Sequence, residues 1–230
     1  LFAVGTHQHG VLLIAWPSGK ILHTFAEKRG VRQLAFSPSG EQLAAANGTA
    51  AVKRDASLEM SLTVWNLKTF EARPPEDLNA LPTALLFPTE SSILLGNNVG
   101  MLLTVGLDGA ATSRRAWVGS QPPKVPDTTR AAFDTEVLID RLTFIGGDRA
   151  HPSGVVGLGL AADGATLFSA GGAEDQISEF KVWNYPAGTE RRSVAGLKRT
   201  YHSFDLYGPG NRFAVGDYQG MVRVFVAERE

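Results

Sequence analysis

Two groups of polar residues in this 230-residue chain have types and spacings that could do chemistry. His7-Gln8-His9 sets two imidazoles two positions apart. On a strand such residues share a face, and neutral imidazole is a common ligand, so His7 and His9 are the candidate metal pair. No carboxylate or third histidine lies near them in sequence. The stretch also coincides with Asn98-Val99-Gly100 and Tyr218-Gln219-Gly220, both of which have the form of hairpin turns, so a solvated turn is the simpler reading. His151 is a candidate base, but it reads better as a structural hydrogen-bonding residue.

The remaining motifs are weaker. Asn47-Gly48-Thr49 fits a glycan acceptor, although an ordinary turn has the same form. Gly154-Val-Val-Gly-Leu-Gly159 is glycine-rich but precedes a strand, where a nucleotide-binding loop should precede a helix. The chain carries no phosphate loop, nucleophile elbow, zinc-protease helix or calcium loop. The sequence therefore implies no cofactor and no catalytic residue.

Composition narrows the function classes. With 22 basic and 23 acidic residues the net charge is −1, and the charges are interspersed. Phosphate backbones need a concentrated basic stripe, so nucleic acid is not the expected partner. No apolar run reaches the length of a membrane span. Cysteine is absent, which removes disulfides and thiolate metal sites. The 43% hydrophobic residues suffice for a substantial core. The chain opens at Leu1, within a strand-like run, which points to a piece of a longer polypeptide.

The elements that must position these residues recur. Apolar strands close on small residues at Phe2-Ala-Val-Gly, Leu43-Ala-Ala-Ala-Asn, Leu94-Leu-Gly-Asn-Asn, Leu167-Phe-Ser-Ala-Gly and Phe213-Ala-Val-Gly-Asp. The strands after them end at Trp16, Trp65, Val105, Trp183 and Phe225. Glycine closes three intervening turns, at Gly40, Gly164 and Gly210, where it supplies a positive φ. Short β-branched and aromatic runs at a period in the forties predict an all-β β-propeller of four-stranded antiparallel blades. With strands named a to d from the axis outward, about five blades are visible. The first lacks strand a and the last lacks strand d, and complete blades span about 31–73, 81–117 and 154–195. Residues 120–150 form an insertion between the third and fourth blades, in which 128–145 could be a helix or an extra strand.

Val31-Arg-Gln-Leu-Ala-Phe-Ser-Pro-Ser-Gly40 followed by Leu62-Thr-Val-Trp-Asn66 resembles the WD-repeat family. His151-Pro-Ser-Gly, Ser169 and Lys181-Val-Trp-Asn184 extend the likeness in the fourth blade. The chain resembles a divergent, bacterial-type member, since no blade keeps the terminal Trp-Asp. The resemblance implies a buried hydrogen-bond network of His151, Ser169, Asp175 and Trp183 in that blade alone, with Asp175 two residues farther from Trp183 than usual.

In a propeller the b–c and d–a connections share one face. The long segments 48–61 and 172–179 and the insertion all fall there, whereas the opposite face has tight turns. Extended loops on a rigid scaffold are where binding concentrates. The expected function is a non-catalytic scaffold that binds a protein partner, or another domain of a longer chain, through this face. Lys53, Arg54, Asp55, Glu59, Trp117, Phe133 and Arg149 are the candidate contact residues. The alternative is a lactonase-like or other hydrolase whose site lies at the mouth of the central channel. Strand-a positions near the axis are mostly apolar, with His202 and Asp205 as exceptions, and this argues against it.

Overall fold

A computed structural model describes residues 1–7, 9–27, 30–48, 60–108, 113–117, 119, 149–152, 154–172, 178–197, 201–207, 212–217 and 219–226. These residues form five antiparallel sheets, each built in chain order from adjacent strands. Sheet 1 contains β1 (Phe2–Gly5), β2 (Val11–Ile14) and β3 (Ile21–Phe25). Sheet 2 contains β4 (Val31–Phe36), β5 (Gln42–Gly48), β6 (Met60–Asn66) and the two-residue β7 (Glu76–Asp77). Sheet 3 contains β8 (Pro82–Thr89), β9 (Ser92–Asn97), β10 (Leu102–Gly106) and β11 (Ser113–Trp117). Sheet 4 contains β12 (Val155–Leu160), β13 (Thr166–Gly171), β14 (Ser178–Asn184) and β15 (Thr189–Leu197). Sheet 5 contains β16 (Tyr201–Tyr207), β17 (Arg212–Asp217) and β18 (Val222–Val226).

Side-chain alternation welds the sheets face to face. Leu43, Ala45 and Trp65 join Val11, Leu13 and Phe25 of sheet 1, while Ala44, Ala46 and Val64, one residue over, join Ile93, Leu95 and Val105 of sheet 3. The period of two thus turns one apolar strand into two interfaces, as expected when both faces of a sheet are covered. The same construction joins sheet 3 to sheet 4 through Leu94, Leu102, Leu167 and Trp183, and sheet 4 to sheet 5 through Phe168, Phe180, Phe213 and Val215. The first strands of sheets 2 to 5 run side by side, β4 against β8, β8 against β12 and β12 against β16, with β1 against β4.

The turns follow the sequence. Gly40 and Gly164 have φ near +70°, and their N–H groups donate to the carbonyls of Ser37 and Ala161. Thr6, Asn97 and Asp217 open three equivalent turns, their N–H groups donating to the carbonyls of Gly10, Met101 and Met221, and Gly10, Gly100 and Gly220 within these turns are at positive φ. Two registers differ from expectation. Strand β2 ends at Ile14, which stands opposite Phe2 as Trp65 stands opposite Leu43. Trp16 belongs to the turn after it and lies exposed, because the Ala15 N–H already bonds the Lys20 carbonyl and closes the hairpin. In sheet 3 the residue opposite Val105 is Ile93, so that anchor begins one residue earlier. Residues 128–145 lie outside the described residues.

Candidate functional site

The first residues of the axial strands and the ends of the second strands converge on a cavity of about 480 Å³. Every sheet contributes: His7 from sheet 1, Arg32 and Gln33 from sheet 2, Thr83 from sheet 3, Val156 from sheet 4 and His202 from sheet 5. Two close approaches set its shape. Gly30 brings the backbone so near the His7 ring that a Cβ would stand 2.9 Å from Nδ1. Thr83 Oγ1 donates to the Val155 carbonyl at 2.5 Å and ties sheet 3 to sheet 4 at the rim. Arg32 Nε donates to the Gly48 carbonyl at 3.1 Å, which fixes the stem of the guanidinium and leaves its remaining donors for other partners. The lining holds two imidazoles, a guanidinium, an amide and a hydroxyl, with no carboxylate among the described residues.

A second polar cluster is sealed inside sheet 4. His151 Nε2 lies 2.6 Å from Ser169 Oγ, and His151 Nδ1 lies 2.7 Å from Glu179 Oε1. Trp183 Nε1 donates to the same Ser169 Oγ at 2.8 Å. Lys181 Nζ sits 3.5 Å from Glu179 Oε1 and 3.3 Å from Glu190 Oε2, and 5.8 Å from the centre of the Trp183 ring. Burial pushes the His151 imidazole below its ordinary value, against the opposing pull of Glu179, so the ring rests neutral. The bonds then run one way: Trp183 N–H to Ser169, Ser169 O–H to Nε2, and Nδ1–H to the Glu179 carboxylate.

Serine, histidine and carboxylate in this order have the geometry of a nucleophilic triad. Access decides the matter. Ser169 and His151 are 0% exposed, and Ser169 Oγ is occupied by Trp183, so no substrate carbonyl can reach the oxygen. Gly171 lies against the ring, where a Cβ would come 2.3 Å from Nδ1. The cluster locks the segment before β12 to the sheet, and the His151 N–H bonds the Gly100 carbonyl of sheet 3.

No family model matches the chain, and no curated protein matches it in sequence. Among solved structures it is similar to the Cps50 (Swd1) beta-propeller domain of Myceliophteria thermophila, with a TM-score of 0.71 at 12% identity. That match covers 99% of this chain and 63% of the Cps50 chain, so this chain spans under two thirds of that domain's length. It is also similar to the computationally designed Ika4 protein, with a TM-score of 0.54 at 14% identity, over 88% of this chain and 94% of the designed one. The fold is a β-propeller.

The five sheets are its blades, and the cavity opens at the mouth of the central channel, on the face of the b–c and d–a connections. Of the four residues expected in the fourth blade's network, His151, Ser169 and Trp183 are joined, and Asp175 lies outside the described residues. Glu179 supplies the carboxylate at Nδ1. The signal for it was a pair of opposite charges, Glu179 and Lys181, sharing one face of an otherwise apolar strand. His7 lines the mouth, while the His9 N–H closes its turn onto Thr6 Oγ1. Among the described residues no three His, Asp or Glu side chains gather as metal ligands.

Trp117 must be removed from the contact set. It is 1% exposed, its Nε1 donates to Thr104 Oγ1 at 2.7 Å, and its ring meets Trp183 edge-on, because the alternation of β11 turns it into the core. Arg149 is half-buried, and its carbonyl accepts the Gly119 N–H at 2.9 Å, which brings together the two ends of segment 120–148. Lys53, Arg54, Asp55, Glu59 and Phe133 lie outside the described residues. Asn47 is fully buried and unavailable to a glycan. Arg32, Gln33 and Thr83 were missed as mouth residues, since only the ring brings such distant positions together.

Proposed function

We propose that the protein is a non-catalytic interaction module that holds an acidic segment of a partner protein at the channel mouth on the b–c/d–a face. The observation that carries this reading is the chemistry of the mouth: a preformed cavity of about 480 Å³, rich in donors, with the Arg32 guanidinium at its rim and no carboxylate in its described lining. A partner carboxylate entering there would find charge-assisted hydrogen bonds in a rigid frame, and preorganisation lowers the cost of forming them. The segment with Lys53, Arg54, Asp55 and Glu59 departs from Gly48, itself a lining residue, and Arg149 sits where segment 120–148 closes. Lys53, Arg54, Asp55, Glu59, Phe133 and Arg149 are the candidate further contacts on the same face.

A panel of immobilised acidic, neutral and basic peptides tests the reading. Acidic peptides should be retained, and Arg32→Glu should weaken their binding by roughly tenfold or more, the size expected for a hydrogen bond to a charged group. Equal retention of basic and acidic peptides would overturn it.

The hydrolase alternative draws on one observation, the triad-like order of Ser169, His151 and Glu179. Their burial supports a structural role instead. A fluorophosphonate probe, which labels activated serines, should leave Ser169 unmodified in the folded protein.

A further inference from the structure

The five histidines of the chain divide by their surroundings. His151 is sealed inside blade 4. His23 is held by aromatic rings, stacked on Phe70 at 4.3 Å and tilted against Phe25 at 4.6 Å. His9 belongs to the turn that closes on Thr6. His7 and His202 line the channel mouth, the first from blade 1 and the second from blade 5. Gly30 backs the His7 ring so closely that the ring is kept at the rim.

Imidazole is the side chain whose charge changes between about pH 5 and pH 8, so the groups that face these two rings decide what a proton there does. His7 follows β1, which packs on β2 and β4, and Arg32 is the charged residue those two strands carry. Glu27, on the connection that leads to Gly30, is half-buried and does not line the cavity. His202 lies on β16, which packs on β12, β13 and β17. The first two of these carry no charge, and β17 carries Arg212 and Asp217, the latter engaged by Arg223 Nη1 at 3.1 Å. Asp205 shares β16 with His202 but is absent from the lining. Blades 3 and 4 contribute the neutral Pro82, Thr83 and Val156. Among the described residues the lining thus holds one permanent positive charge and no negative one, and protonation of both imidazoles raises the one to three.

We propose that the channel mouth is a pH-dependent clamp, in which protonated His7 and His202 join Arg32 in holding a partner segment with several carboxylates and release it as pH rises. This inference rests on the reading of the mouth as a site for an acidic segment. The sign follows from linkage. An anion in the mouth favours the charged imidazole, so binding takes up protons and tightens as pH falls. The two rings enter from different blades, and Arg32 from a third, so a segment with several carboxylates gains more than one with a single carboxylate.

Fluorescence anisotropy at constant ionic strength tests it with two labelled peptides of glycine and serine, one carrying four glutamates and the other a single glutamate. Affinities are compared at about pH 8 and about pH 5.5, a window in which glutamate stays ionised. The four-glutamate peptide should bind roughly tenfold tighter at the lower pH, from two exposed ion pairs of about threefold each, and the single-glutamate peptide about threefold tighter. His7→Gln and His202→Gln should each reduce the tenfold ratio to about threefold, and the double variant should abolish it. His23→Gln should retain it. Equal affinity at the two pH values, with binding still weakened by Arg32→Glu, would overturn the clamp and leave the acidic-segment reading standing. A gain that survives the double variant would also overturn the clamp, and so would weaker binding at the lower pH, the direction expected from acid loss of the fold. Binding at neither pH would overturn both.

Discussion

The sealed cluster of blade 4 and the mouth of the channel are made from the same kinds of side chain, a histidine beside a hydroxyl and a cation, yet they answer to different solvents. At His151 every ring nitrogen is satisfied by a protein group within 2.7 Å, and water is excluded. At the mouth His7, Arg32 and His202 are exposed and line a space of about 480 Å³. In low dielectric a polar network is worth most when complete and costs most when one member is lost, so the cluster belongs to stability. Exposed polar groups of this kind contribute little to folding. A triad-like order of atoms is thus no sign of catalysis without a path for substrate.

Removing a sealed group should have the largest effect. Glu179→Ala takes the acceptor from His151 Nδ1 and one of the carboxylates beside Lys181, and should cost about 3–5 kcal/mol in denaturant unfolding, the range for breaking a buried charge pair. A loss below about 1 kcal/mol would show that the cluster is not a single satisfied network. Ser169→Ala comes next. It strips Trp183 Nε1 and His151 Nε2 of their shared partner and should cost about 2 kcal/mol, on the scale of leaving a buried polar group unpaired.

The pH dependence of melting sharpens the same contrast. Because burial holds the folded His151 below its unfolded value, the unfolded chain binds the extra proton first as pH falls. Stability present above about pH 6.5 is therefore lost progressively as pH drops from there toward the lower folded value. His151→Gln should flatten that part of the profile, and an unchanged slope would move its origin elsewhere. The smallest effect is expected at the mouth, where Arg32→Glu should change stability by less than about 0.5 kcal/mol, as for an ordinary surface substitution.

These two regions were unequally legible in sequence. The blades could be read because strand alternation and turn glycines are local: the Gly40 and Gly164 turns and the strands beginning at Val31, Gln42 and Val155 follow from neighbouring residues. Trp16 misled because residue type does not reveal where a hairpin closes, and the chain turned two residues before it. His151, Ser169 and Trp183 were visible through a family pattern. Glu179 was not, since that pattern looks for its carboxylate in the turn, whereas here it comes from the strand. The mouth was least legible, because His7, Arg32, Thr83 and His202 come from four different blades and line one space only once the blades are arranged about the axis. The contact residues on segments 49–59 and 120–148 lie outside the described residues, so the mouth itself carries the functional argument.

The most direct test measures acidic-peptide binding to three proteins at one temperature where all are folded: the natural sequence, Arg32→Glu and Ser169→Ala. The account predicts a loss of roughly tenfold or more for Arg32→Glu, the worth of one charge-assisted hydrogen bond, and unchanged affinity for Ser169→Ala. Wild-type binding by Arg32→Glu together with abolished binding by Ser169→Ala would contradict it and return the function to the buried cluster.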